Sequence, residues 1–392
     1  MKKKSINHIL GNGVIPSKIK EARESRGLSL SELSERIGVS SQAISQYELG
    51  TSNPSGIVFM KIIDVLDFPS TFFYKDYEKN TYVSNSVTYF RGNKNTTKKV
   101  KRALKIRINW IDKTYSHLKR YFDLPQLDIP NFDDLLIDSE LNILDVEAIV
   151  ERLREYWNVG DAPIPNMIDL LQEKGFVISK LQFNNKKVDA FSRWYNGTPY
   201  IILGSDKNSA VRSRFDLAHE LGHLIMHRNI NEDDLSKKDV LNRVEREADW
   251  FAASFLIPIK SFNKEVISSS INHFIILKQR WKVSISSMIR RCEDANILTD
   301  NQIRYLKSQM IKNGYYRREP LDDLLKSENP YLFKQGFSML IENNIMNKTE
   351  LLDLISLNSR EAEKLFCLDE NFFQTNIATI SINENKIYSY NS

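Results

Sequence analysis

The sequence predicts a multidomain, mainly α fold. Helical apolar spacing runs through both ends of the chain, and strand-like runs are confined to a short central stretch between Phe176 and Leu203. At 392 residues the chain is long enough for two or three domains. Hydrophobic residues make up 41% and the net charge is +5, both ordinary for a globular chain. No apolar run approaches the ~18 residues a membrane span needs. Met1-Lys2-Lys3-Lys4 is basic, but no apolar signal core follows it, so neither secretion nor a membrane partner is expected. Cys292 and Cys367 stand in no metal or redox spacing and read as reduced thiols, which fits a cytoplasmic location.

Residues 1–75 read as a small helical domain. Ile15 to Tyr74 divides into five short helices, with Ile19, Ala22, Leu30, Leu33 and Ile37 marking apolar faces. Gly38-Val39-Ser40 is a turn. Ser40 to Glu48 is a short polar helix pinned inward by Ala43, Ile44 and Tyr47; Gly50 ends it and Pro54 opens the next. A helix, a tight turn with Gly and a polar helix with few buried anchors form the DNA-reading helix-turn-helix pattern. A bundle used only for dimerisation shows the same pattern.

Residues 76–140 read as a basic helical linker. Between Arg91 and Arg120, eleven Lys or Arg stand against one acid, Asp112. Leu104, Ile108, Ile111, Tyr115 and Leu118 recur at three- and four-residue steps, so one face packs and the other is basic. That basic face suits phosphate contact and plain solvation equally well. Pro125 and Pro130 mark a connector. The next domain is therefore expected to fold without residues 1–75.

Residues 141–318 read as an α+β core. Ile143 to Trp157 and Asn166 to Lys174 are helices, the second closed by Gly175. Phe176–Leu181 and Pro199–Leu203 read as strands, with Val188–Ser192 a third. Next comes His219-Glu220-Leu221-Gly222-His223, an H-E-x-x-H match in a chain with only six His. One helical turn brings His219 and His223 onto one face, where two imidazoles can bind one Zn²⁺. Glu220 is placed to act as general base. Zinc needs a third protein ligand. On the helix from Leu241 to Phe255, Glu247 shares the apolar face of Val244, Ala248, Phe251 and Phe255. A carboxylate there needs a partner, and a metal supplies one. Glu245 and Asp249 fall off that stripe and read as solvated or supporting groups. His227 lies too far along the axis to join the pair on one ion. Asp216 is a candidate to orient an imidazole.

Two resemblances follow from these motifs. Arg212-Ser213-Arg214-Phe215-Asp216-Leu217-Ala218 leading into His219, with Val244-Glu245-Arg246-Glu247-Ala248-Asp249-Trp250-Phe251-Ala252, resembles the ImmA/IrrE metallopeptidases. Asp249 stands where that family usually has Asn. The resemblance covers roughly Ile143 to Arg318. It implies a zincin-like, gluzincin-type Zn²⁺ endopeptidase with His219, His223 and Glu247 as ligands and Glu220 as base. Gly38 to Gly50 is similar to XRE/Cro-type repressors, which implies that Ser41, Gln42, Ser45 and Gln46 face the major groove of duplex DNA, as a homodimer on two half-sites. Leu277 to Ser284 with Ile285, Met288 and Ile289 resembles a second helix-turn-helix, expected to pack on the core. Residues 319–392 read as further helices with no chemistry of their own. Together these imply an intracellular protease that cuts a helix-turn-helix repressor. The alternatives are a regulator whose metallo-domain senses without cutting, and a toxin–antitoxin component.

Overall fold

The computed structural model describes residues 13–74, 88–92, 98–136, 140–182, 188–205 and 209–374. The basic N-terminus at Met1–Lys4 lies outside them. The fold is mainly helical, as expected.

Five helices open the described chain: α1 Pro16–Ser25, α2 Leu30–Ile37, α3 Ser41–Leu49, α4 Gly56–Leu66 and α5 Ser70–Tyr74. Local sequence sets their ends. Ser29 and Glu32 form a reciprocal capping box at the start of α2. Gly38, at φ 74°, ends α2 in the left-handed conformation that glycine adopts without strain. Ser40 then caps α3 through the Ala43 amide. Ile44 is the fully buried anchor of α3, while Ala43 and Tyr47 are only half-buried. Arg23 grips Glu48 through two bonds of 2.6 and 2.8 Å, which fastens α3 to α1 from its far end.

The basic segment is not a free connector. Helix α6, Lys98–Leu118, buries Leu104, Ile108, Trp110, Ile111 and Tyr115 in a core it shares with the five N-terminal helices. Trp110 meets Phe68 edge-on at 5.7 Å, and its Nε1 donates to Glu21 at 2.6 Å. Part of the expected basic face pairs with acids of neighbouring helices. Lys99 pairs with Glu32 at 2.9 Å, Arg102 with Glu24 at 3.6 Å and Arg107 with Glu361 at 3.7 Å. Residues 13–74 and α6 thus share one core, where the sequence suggested a connector. A spacing of apolar residues shows that a helix packs, but not against what.

Helices α7 (Ile143–Tyr156) and α8 (Met167–Glu173) lead into strands β2 (Val177–Leu181), β3 (Val188–Tyr195) and β4 (Thr198–Gly204). A further strand, β1 (Thr88–Gly92), comes from the segment before α6, and the sheet order is β1-β3-β4-β2. β1 and β4 run antiparallel to β3, and β2 runs parallel to β4. The sequence expectation included three strands and missed β1. Both faces of the sheet are covered, which explains the near-continuous apolar runs. Val177, Phe191, Tyr200 and Ile202 face the core shared with α6. Ile178, Ala190, Trp194, Ile201 and Leu203 face the other core, which contains α9, Ala210–Met226.

After the short α10 (Glu232–Ser236), α11 (Lys238–Leu256) packs against α9, and α12 (Ile259–Glu265), α13 (Ile271–Trp281), α14 (Ile285–Asp294) and α15 (Asp300–Lys312) complete this side. Leu277, Trp281, Val283, Ile285, Met288 and Ile289 are all buried in the core of α9, so the second helix-turn-helix-like stretch packs on it, as expected. The last helices, α16 (Leu332–Glu342), α17 (Lys348–Ile355) and α18 (Ser359–Leu365), join three parts of the molecule. Glu361 accepts from Arg26 at 2.6 Å, Asn358 donates to the Asp67 carbonyl at 2.7 Å, and Ser179 on β2 donates to the Leu365 carbonyl at 2.6 Å. No helix among the described residues is long and apolar enough to cross a membrane.

Candidate metal centre and nucleic-acid face

α9 starts at Ser209, whose side chain accepts from the Arg212 amide. It carries His219, Glu220 and His223 into the interior, where all three are essentially inaccessible. What lets α11 come close is Gly222, between the two histidines. A β-carbon there would lie 3.0 Å from both Cβ and Cγ of Phe251. The missing side chain brings the acidic flank of α11 to the histidine face of α9.

The carboxylate that arrives is Glu245. Its Oε2 is 3.5 Å from His219 Nε2 and its Oε1 is 3.5 Å from His223 Nε2. The two Nε2 atoms are 3.0 Å apart. His219, His223 and Glu245 each offer an atom within 4.8 Å of the others. The expected third ligand, Glu247, is elsewhere: its Oε2 lies 2.9 Å from His227 Nε2. Glu247 is indeed buried on the apolar face, but its partner is a histidine. Residues two apart on a helix point some 200° from each other, so only one of Glu245 and Glu247 can face the His219–His223 pair.

The surrounding bonds fix the ring orientations. His219 Nδ1 is 2.9 Å from Asp249 Oδ1, so it carries the proton toward that carboxylate. This is the imidazole-orienting role the sequence left open for Asp216, and Asp249 fills it one helical turn from Glu245. His223 Nδ1 is 2.9 Å from His227 Nδ1, and His227 Nε2 faces Glu247. The consistent tautomers run outward: His223 donates to His227, and His227 donates to Glu247. The Leu141 amide donates to Glu247 Oε1 at 3.2 Å, closing the chain. Both Nε2 lone pairs and the Glu245 oxygens then converge as acceptors.

That donor set fits a cation. Burial holds the His223 imidazole down to about 3, hence neutral and ligand-ready at neutral pH. Two neutral nitrogens and one carboxylate form a borderline-soft set suited to zinc. A tetrahedral ion with bonds of ~2.0–2.1 Å has ligand–ligand edges of about 3.4 Å, close to the spacings seen.

Glu220 points toward the sheet. Alternation along β3 puts Ser192 on the same face as Ala190 and Trp194. Ser192 Oγ donates to Glu220 Oε2 at 2.5 Å, and Trp194 Nε1 donates to the Leu224 carbonyl at 3.1 Å. Sequence reading missed Ser192, since nothing in a strand's pattern says which helix lies beneath it. A cleft of about 270 Å³ opens beside Asp249, lined by Phe215, Trp250 and Arg290. The Tyr200 hydroxyl donates to Asp112 at 2.6 Å on the opposite sheet face, and Arg214 pairs with Glu328. Both cysteine thiols are pushed up by burial, Cys292 to about 12, so neither is a nucleophile at neutral pH.

On α3, Gln42 and Gln46 are exposed and Ser41 and Ser45 half-exposed. Ser41 Oγ is 3.0 Å from Ser34 Oγ, so its hydroxyl helps join α3 to α2. The four expected DNA-facing residues thus lie on one helix, with Gln42 and Gln46 opposite the buried Ile44 and Ser41 on its side.

Comparison with known families agrees with both halves. A peptidase family described as the IrrE N-terminal-like domain matches residues 171–293, and a helix-turn-helix family matches residues 19–73. No curated protein matches the sequence. The chain thus joins a segment similar to the helix-turn-helix family and a segment similar to the IrrE N-terminal-like peptidase family.

Proposed function

We propose that this chain is an intracellular, cytoplasmic zinc-dependent endopeptidase that cleaves a helix-turn-helix repressor at DNA. The observation that supports it most is the convergence of His219, His223 and Glu245 within 4.8 Å, in a segment matching a peptidase family. In this reading these three residues hold the ion, and Glu245 replaces Glu247 in the ligand set. Asp249 and the His227–Glu247 pair keep the rings aimed. A bound zinc supplies Lewis acidity toward a scissile carbonyl and lowers the pKa of water. Glu220 takes a proton on its carboxylate and returns it to the leaving amine. Ser192, donating to Glu220 Oε2, would hold that carboxylate in place.

Ser41, Gln42, Ser45 and Gln46 would read base edges, with Gln contacting adenine bidentately. DNA binding then places the enzyme beside repressors bound at the same control region, and such tethering raises effective concentration. The test is quantitative proteomics of cells expressing wild type or Glu220→Gln. A repressor depleted only by the wild type supports the reading. Identical proteomes, with zinc bound in both proteins, would overturn it.

A further inference from the structure

β1 stands apart from the rest of the sheet. It lies between the helix-turn-helix segment and α6, outside the peptidase-family match at 171–293. Without it, β3 would be an edge strand, because β4 covers the other side of β3. β3 is also the strand that touches the proposed base, through Ser192 and Glu220. In the ladder, Tyr89 is the register partner of Ser192, and the pairing is antiparallel. The β1 backbone therefore runs alongside the residue that contacts Glu220, and β1 also packs near α9.

An open strand edge captures extended peptides through main-chain hydrogen bonds, with little demand on sequence. We propose that residues 88–92 occupy the strand position on which an extended protein substrate docks, so that the chain's own segment is the resident occupant of its substrate edge. This rests on the peptidase reading for the word substrate, but the docking edge itself does not. The ladder is built to be displaced. Its register breaks between Arg91 and Gly92, which weakens the pairing at that end. Tethering gives it an effective concentration on the order of mM, so a substrate in trans must compete with it. The segment that has to leave is the one joining the helix-turn-helix segment to α6.

The experiment uses the full zinc-loaded chain in a Glu220→Gln background, so that nothing is cut. The probe is a fluorescent synthetic peptide spanning residues 86–94, with binding read by anisotropy. Successive amides of an edge strand point alternately toward and away from the neighbour. Of Tyr89→Pro and Phe90→Pro, one therefore removes a ladder donor and the other an outward one. The ladder-breaking variant is expected to bind the peptide at least tenfold more tightly than the parent, with the other variant near the parent. Hydrogen exchange at 188–195 should accelerate in that variant and slow again on adding peptide. A second version, with residues 86–94 replaced by a Gly/Ser stretch of equal length, guards against misfolding of a proline variant and is expected to bind like the ladder-breaking one. Equal binding by all forms, or no binding by any, overturns the proposal. If the peptide binds as expected but no Glu220-containing protein ever cuts a substrate, the docking edge stands and the peptidase reading falls.

Discussion

The α9–α11 centre and the α3 surface solve opposite problems. At the centre, His219, Glu220, His223, His227 and Glu247 are buried, and the rings are held by neighbours: Asp249 holds His219, His227 holds His223, and Glu247 holds His227. On α3, Gln42 and Gln46 project outward, while Ile44, the Ser41–Ser34 contact and the Arg23–Glu48 clamp position the helix. Buried chemistry depends on a network, so removing a group disturbs its neighbours as well. Surface recognition depends on placing the helix, after which its outward residues act nearly independently. Substitutions should therefore couple strongly at the centre and add simply on α3.

The largest effect tests the centre at its ligands. Glu245→Ala should lose the zinc, read as metal per chain by mass spectrometry. Glu247→Ala should keep it with affinity weakened by roughly 10–100-fold, as for a group acting through a ligand's partner. Full zinc in Glu245→Ala with none in Glu247→Ala would reverse the assignment made from the geometry.

Glu220→Gln comes next. It should retain zinc and fold while cleavage of a supplied repressor drops by roughly 10²–10⁴-fold, the range for losing a general base. Cleavage at the parental rate would remove Glu220 from the mechanism.

Gln42→Ala and Gln46→Ala probe the other side of the comparison. Each should cost about 1–3 kcal/mol of discrimination at one base pair, with unfolding stability changed by less than about 0.5 kcal/mol. Binding titrations on an operator and its point mutants, in varied salt, read this. Strong non-additivity between the two would mean that α3 is as networked as the centre.

Gly222→Ala should have a smaller effect on folding. Added helix propensity favours the variant by about 1 kcal/mol, while crowding against Phe251 costs about 1–3 kcal/mol. A net fall in melting temperature with weakened zinc binding is expected. A rise in both would show that α11 has room to spare.

The smallest effect lies at Asp112, between α6 and β4. Burial pushes its carboxyl above the usual range, against the pull of Tyr200, Asn196, Lys119 and Lys113. The folded state then holds the proton more tightly than the unfolded chain. Stability therefore falls as pH rises from the unfolded value, near 3.9, through the raised folded one. Asp112→Asn should flatten that part of the profile, measured as denaturant midpoints from pH 4 to 7. An unchanged slope would place the titration elsewhere.

Much of this was legible in the chain itself. The i, i+4 spacing of His219 and His223 needs only helical geometry, and Ser29, Gly38, Ser40 and Gly50 set helix ends through their own backbone chemistry. Periodicity placed five N-terminal helices and three of the four strands, because each follows from residues close in sequence. The choice between Glu245 and Glu247 did not. Both lie on one helix, and a buried carboxylate reads the same whether its partner is a metal or His227. Only the closeness of α11 to α9, set by Gly222 against Phe251, decides which one reaches the histidines. The same holds for Ser192 on Glu220, for α6 as a shared wall, and for β1 beside β3. Each is a contact between segments far apart in sequence, where local pattern carries no record of the partner and packing alone selects it.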